Sequence, residues 1–141
     1  MEDNARPGFN GNDTEHYITT YFRRAFAVTN RASYSHLLMN VKRDDGAVVY
    51  LNGDEAARFN MNTGEVNHLT LARNGGDDGK IFIAATVPAA LLVEGTNVVA
   101  VEIHQATADS TDISFEMGLS GIPVVIADPL PETTRTKKDA P

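Results

Sequence analysis

Cysteine and tryptophan are both missing from this chain. Without a thiol there is no cysteine nucleophile, no thiolate zinc site and no disulfide, so the chain is indifferent to the redox state of its compartment. Without tryptophan, the aromatic surfaces on which a flat ligand could stack reduce to Tyr21, Tyr34, Tyr50 and Phe59. Basic residues are outnumbered, 12 Lys and Arg against 19 Asp and Glu, for a formal net charge of −7. That balance argues against nucleic acid and anionic lipid, whose phosphates call for a basic face. No apolar run approaches the ~20 residues of a membrane helix. The first residues also lack the basic-then-apolar order of a secretory leader. Two catalytic signatures are absent as well, the G-x-S-x-G elbow and the phosphate-binding loop. The four histidines, His16, His36, His68 and His104, have no helical zinc spacing.

What is present is β-structure. The 141 residues suffice for one domain with a core, and 42% apolar content is that of a folded globule. The clearest local signal is RDDGAVVYLNG, residues 43–53: two acids, a glycine, a β-run and then Asn52-Gly53. Asn-Gly tolerates the positive φ angles of a type I′ turn, so a hairpin with residues 55–60 is expected. Period-two alternation predicts further strands. Phe22, Phe26 and Val28 oppose Tyr21 and Arg23; Leu37, Met39 and Val41 oppose His36, Asn40 and Lys42. Val99, Val101 and Ile103 oppose Glu102 and His104, and Ile113, Phe115, Met117 and Leu119 oppose Ser114 and Glu116. Arg24 breaks the pattern on the apolar side, which predicts a bulge or a buried, paired arginine. KIFIAATV, residues 80–87, is another strand, and PAALLVEGTN a single helical turn closed by Gly95. HLTLA, residues 68–72, is an edge strand at most. Seven or eight evenly spaced strands with almost no helix favour an all-β, antiparallel β-sandwich. The expected organisation is a flexible segment over 1–16, a sandwich over 17–127 and a Pro/Thr-rich linker or tail over 128–141. LPETT, residues 130–134, lacks the glycine and apolar tail of a sortase signal and reads as linker.

In order, ITTYFRRAF, RDDGAVVYLNGDEAARFNM, VPAALLVEGTNVVAVEIHQ and ISFEMGLSG resemble a galactose-binding-like jelly-roll module, over residues 17–121. Such modules recur in large secreted bacterial proteins. The resemblance implies a non-catalytic accessory role, binding polysaccharide or glycan or packing against neighbouring domains, often with a structural calcium ion. It implies secretion as part of a longer chain. Related modules carry an aromatic, glycine-rich segment before the first long strand, where this chain has only GFNGNDTEHY, residues 8–17. A truncated first strand leaves an edge to be covered by the C-terminal strand or by another copy, hence a candidate homo-oligomer.

The candidate carbohydrate contacts are outward-parity or hairpin residues able to bond hydroxyls: Arg23, Asn40, Tyr50, Arg58, Glu102, His104 and Glu116. The alternative is an ordinary hydrated sheet face with cross-strand ion pairs, and for Arg58 a pairing with Glu55. Glu102 and Glu116 could face each other across neighbouring strands, but no cleft for glycosidic chemistry is legible. Asp44 and Asp45, adjacent carboxylates at a strand mouth, suit calcium, or else cap the turn at Gly46. The same pair resembles one in PA14-type adhesins that holds calcium for sugar binding, which implies a calcium-dependent lectin as a further reading. A third reading is a structural or protein-interaction module. Asp77 and Asp78 are expected to be solvated.

Overall fold

A computed structural model describes residues 2–3, 9–12, 15–74 and 77–125, with side chains from His16 onward. The expected linker at 128–141 lies outside the described residues. The strands are β1 (Glu2–Asp3), β2 (Phe9–Asn12), β3 (Glu15–His16), β4 (Thr19–Val28), β5 (Tyr34–Asp44), β6 (Gly46–Leu51), β7 (Asp54–Phe59), β8 (Ile83–Pro88), β9 (Gly95–His104) and β10 (Ser114–Pro123). Two 3₁₀ turns, Arg31–Ser33 and Ala89–Leu91, are the helical content of the described residues.

β2 and β3 pair only with each other, and the other eight strands form two antiparallel sheets. The first runs β1-β10-β5-β8 and the second β4-β9-β6-β7. Counting those eight along the chain, one sheet holds the first, eighth, third and sixth strands, and the other the second, seventh, fourth and fifth. This is the jelly-roll order, in which successive strands alternate layers except at the β6–β7 hairpin.

Alternation fills the space between the layers as expected. Leu37, Met39 and Val41 from β5 meet Ala47, Val49 and Leu51 from β6 and Val99, Val101 and Ile103 from β9, all buried. Phe22 of the second sheet and Phe115 of the first touch across the layers, their ring centroids 4.8 Å apart. The predicted hairpin is in place, with Asn52 at φ 56° and Gly53 at φ 95°. A register shift between Val49 and Tyr50 re-aims its tip.

Three expectations change, and a fourth, HLTLA, resolves to no strand. The segment expected to be flexible supplies β1, whose two residues pair with β10 in the register Glu2↔Glu116 and Asp3↔Phe115. Arg24 is neither bulged nor buried. It is exposed and pairs regularly with Val99. HLTLA forms no strand; residues 60–74 cross the outer side of the second sheet as an irregular strap. Asp77 is not merely solvated. It pairs with Arg43, a buried residue at the core end of β5, and accepts a bond from the Ile81 amide at 2.9 Å.

The strap is why Gly46 is a glycine. A Cβ there would stand 2.6 Å from Met61 Sδ and 2.7 Å from the Ala72 Cβ. Met61 and Ala72 pack instead on Val48, which is buried despite its outward parity. The Ala72 amide bonds the Gln105 carbonyl at 2.9 Å, and Asn60 Nδ2 bonds the carbonyls of Asp45 and Arg73 at 3.1 and 2.8 Å.

Candidate functional site

The strap covers one end of the second sheet's outer face and leaves the other end open. Antiparallel register sets what lies there. Tyr21 opposes Glu102, Arg23 opposes Ala100, and on the other side of β9, Tyr50 opposes Ala100. Beyond β6, Val48 opposes Arg58 and Tyr50 opposes Glu55. Tyr21, Arg23, Tyr50, Glu102 and Arg58 therefore share one surface, floored by the small side chain of Ala100.

Tyr50 divides that surface into two clefts. One, of about 480 Å³, is walled by Glu55, Arg58, Gly64, Glu65 and Val66. The other, of about 520 Å³, is lined by Arg23, Asn52, Gly53, Val98 and Ala100. Together they make a trough crossing the sheet from the strap to the edge strand. Burial, then the Glu102 carboxylate, raises the hydroxyl pKa of both Tyr21 and Tyr50 above the ordinary value. Both hydroxyls thus stay protonated and able to donate. Tyr21 is 59% exposed, an aromatic ring open to solvent.

Arg58 is a wall of this trough rather than a free donor. Its Nε and Nη2 donate to the Glu55 carboxylate at 2.9 and 2.7 Å. Its Nη1 donates to the carbonyls of Asn62 and Gly64, the latter at 3.0 Å. One guanidinium thereby ties the hairpin's return arm to the strap. The paired Glu55 carboxyl titrates below its usual range, chiefly through its bond to Arg58.

His104 corrects the expectation of a surface ligand contact. It has outward parity, yet the strap buries it completely. The Thr70 carbonyl accepts from Nδ1 at 2.7 Å, Thr19 Oγ1 lies 3.0 Å from the same nitrogen, and Nε2 is 3.1 Å from Glu102 Oε2. Its role is to anchor the strap and to orient Glu102 on the face that carries the trough.

Asn40 and Glu116 stand on the outer face of the first sheet, across the core from the trough. Asn40 lies between Gly118 and Ala84, and Glu116 is paired with Lys42 at 3.1 Å. The expected juxtaposition of Glu102 with Glu116 does not occur, because their strands belong to different layers. Tyr34 and Phe59 are also removed as stacking surfaces. Tyr34 fills the space over Gly121, and Phe59 is buried in the core.

Asp44 and Asp45 sit at the β5–β6 junction, near the strap end. Asp45 Oδ2 accepts the Ala106 amide at 2.7 Å, so it caps the chain leaving β9 rather than the turn at Gly46. Asp44 is buried, and its pKa is raised to about 7 by burial, then by Asp45 beside it, with Asp112 and Asp78 contributing. Among the described residues, no group of three or more His, Asp or Glu side chains is arranged to hold a metal ion. A cation at the pair would draw its remaining ligands from neutral oxygens. Gln105 Oε1 is buried without a partner, while Gln105 Nε2 bonds the Asp112 carbonyl at 2.9 Å.

The sequence did not single out Glu55, Asn52, Val98, Ala100 or the 64–66 wall as parts of a site. Ala100 was readable as the small residue of an outward row; the wall was not, because a strap leaves no periodic signal.

No family model matches the chain, and no curated protein sequence matches it. Solved structures do resemble it. A family 35 carbohydrate-binding module from an environmental isolate is 17% identical, with 89% of this chain and 88% of that one covered and a TM-score of 0.38. An α-L-rhamnosidase from Dictyoglomus thermophilum is 10% identical at a TM-score of 0.44, covering 87% of this chain and 15% of the other. A β-D-mannosidase from the same organism is 22% identical at 0.41, covering 61% and 9%. The chain thus spans a small part of the length of either glycosidase. By its own strand order the chain is an eight-stranded jelly-roll β-sandwich.

Proposed function

We propose that this domain is a non-catalytic accessory module of a larger secreted protein and that it binds glycan in the trough on the outer face of the second sheet. The observation that carries this reading is the composition of the trough. A sugar ring needs an apolar plate for its CH face and fixed polar groups for its hydroxyls. Tyr50 supplies a ring within it and Tyr21 a second on the same face; Glu102, beside His104, lies on that face too, and Arg23 lines the trough, exposed and with no ion pair among the described residues. The site is shallow and solvent-washed, so a single copy binds weakly. Its use is to raise the local concentration of whatever is joined to it.

Isothermal titration against neutral and acidic polysaccharides tests the reading, with a glycan array to choose them. Binding should fall about ten-fold or more, about 1.4 kcal/mol, in Tyr50→Ala and in Arg23→Ala. Asn40→Ala, on the opposite face, should leave it unchanged. Absence of binding to any glycan tested, or an equal loss in Asn40→Ala, would overturn the assignment.

A further inference from the structure

One row of residues crosses the whole of the second sheet along the trough. Arg23 opposes Ala100, Ala100 opposes Tyr50 and Tyr50 opposes Glu55, so the row takes one residue from each of β4, β9, β6 and β7. Four neighbouring strands are three spacings wide, about 14 Å. A sugar ring in a linear chain advances by about one strand spacing, so the row measures about three units. Tyr50 stands between the two clefts, and each is roomy enough for a ring, at about 520 and 480 Å³.

Most polar groups of the two clefts are already engaged. In the cleft toward β4, Asn52 Nδ2 donates to the Leu91 carbonyl and to Asn97 Oδ1, both at 2.8 Å, and its Oδ1 accepts the Val98 amide at 2.9 Å. Val98 and Ala100 are apolar, which leaves the Arg23 guanidinium to hold a hydroxyl there. In the cleft toward the strap, Glu55 and Arg58 are bound to each other, and Arg58 Nη1 donates to strap carbonyls. The exposed carboxylate of Glu65 is left. That cleft therefore sets two carboxylates, Glu55 and Glu65, against one guanidinium. The Tyr50 hydroxyl registers the imbalance, since its pKa is raised by burial first and then by Glu102 and Glu55, with Arg58 opposing them. A carboxylate-bearing sugar placed there would meet like charge.

We infer that the ligand is a linear stretch of three linked sugar units lying across the strands, with an uncharged unit at the strap. This rests on the glycan reading of the same trough. The middle unit lies against the Tyr50 ring. One neighbour gives a hydroxyl to Glu65 in the strap cleft, and the other takes a bond from Arg23 over the Ala100 floor. Each outer subsite thus hangs on one side chain, while Tyr50 serves every occupant. A two-unit fragment has two equivalent ways to bind, by Tyr50 with either cleft.

Isothermal titration of the full chain with fragments of one to six units, cut from neutral glucan, mannan, xylan and galactan, tests the inference. For the fragments that bind, affinity should rise about ten-fold from two units to three and by less than about two-fold from three to six. Arg23→Ala and Glu65→Ala, both at exposed positions, should each bring the three-unit fragment down to the level of the two-unit one. Neither should weaken the two-unit fragment by more than about two-fold, because the intact cleft still takes it, whereas the double variant should weaken it about ten-fold. Polygalacturonate fragments, charged at every unit, should bind about ten-fold more weakly than neutral ones of equal length at low salt, with the gap closing as salt rises. A single unit bound as tightly as three, a loss in Arg23→Ala that is equal at every length, or tighter binding of polygalacturonate would overturn the inference and leave the glycan reading standing. So would a polysaccharide that binds while none of the fragments does. Failure to bind any polysaccharide would remove both.

Discussion

At the scale of single residues, Asp44 is the group whose chemistry departs furthest from the ordinary. Burial and the adjacent Asp45 carboxylate lift its pKa from 3.8 to about 7. Below pH ~4 the carboxyl is protonated in the folded and the unfolded chain alike. Between there and about 7 only the unfolded chain loses the proton, so stability must fall as pH rises through this window and level off above it. Asp44→Asn, neutral at every pH, should match the parent near pH 4 and exceed it at pH 8, by on the order of 1 kcal/mol. Urea melts at a series of pH values would show it. A parent whose stability rises over that interval, or an Asn variant with the parent's slope, would refute the assignment. Calcium makes the opposite signature. If the pair held a cation, calcium would raise the melting temperature of the parent and Asp44→Asn would erase the rise.

At the scale of elements, connections matter more than strands, because each strand has a redundant supply of apolar contacts. Asn97 is fully buried at the start of β9 and satisfied on both sides of its amide. Its Nδ2 donates to the Val93 and Gly95 carbonyls at 2.8 and 3.0 Å, while Oδ1 accepts the Val93 amide and Asn52 Nδ2, both at 2.8 Å. One side chain therefore fastens the 3₁₀ turn after β8, the bend into β9 and the tip of the β6–β7 hairpin. Asn97→Ala strands several buried partners at once and should cost about 3 kcal/mol, read as a shift in denaturation midpoint at unchanged slope. A loss under ~1 kcal/mol would mean that the network is replaceable by water. No periodicity in EGTNVVAV marks this residue, since it stands on the apolar side of its strand and its partners come from distant turns. The hairpin at Asn52-Gly53 was legible for the converse reason, that its conformation is dictated by the two residues themselves. HLTLA, read as an edge strand at most, forms none, on the same logic. Its apolar residues do not pair with a strand but belong to a strap that crosses one.

At the scale of the whole molecule, one core spans both layers from β5 through β6 to β9, with Phe22 and Phe115 in contact across it. The sandwich should therefore melt as one unit. Calorimetric and van't Hoff enthalpies should agree, and two resolved transitions would contradict a shared core. Parity along each strand made inside and outside readable, and so the sandwich. It carried no information about which layer a strand joins. Arg23 and Glu102 were thus grouped with Asn40 and Glu116 until the strand order set them on opposite faces. His104 and Val48 show the other blind spot, outward positions that a distant segment covers. The trough itself brings a practical dividend. A chain without tryptophan emits only from its four tyrosines, and two of these, Tyr21 and Tyr50, stand beside the Glu102 carboxylate. Half of the emitters excited near 280 nm therefore stand on the surface where a ligand would lie, next to a quenching carboxylate, and occupancy that displaces Glu102 can be followed in unlabelled protein.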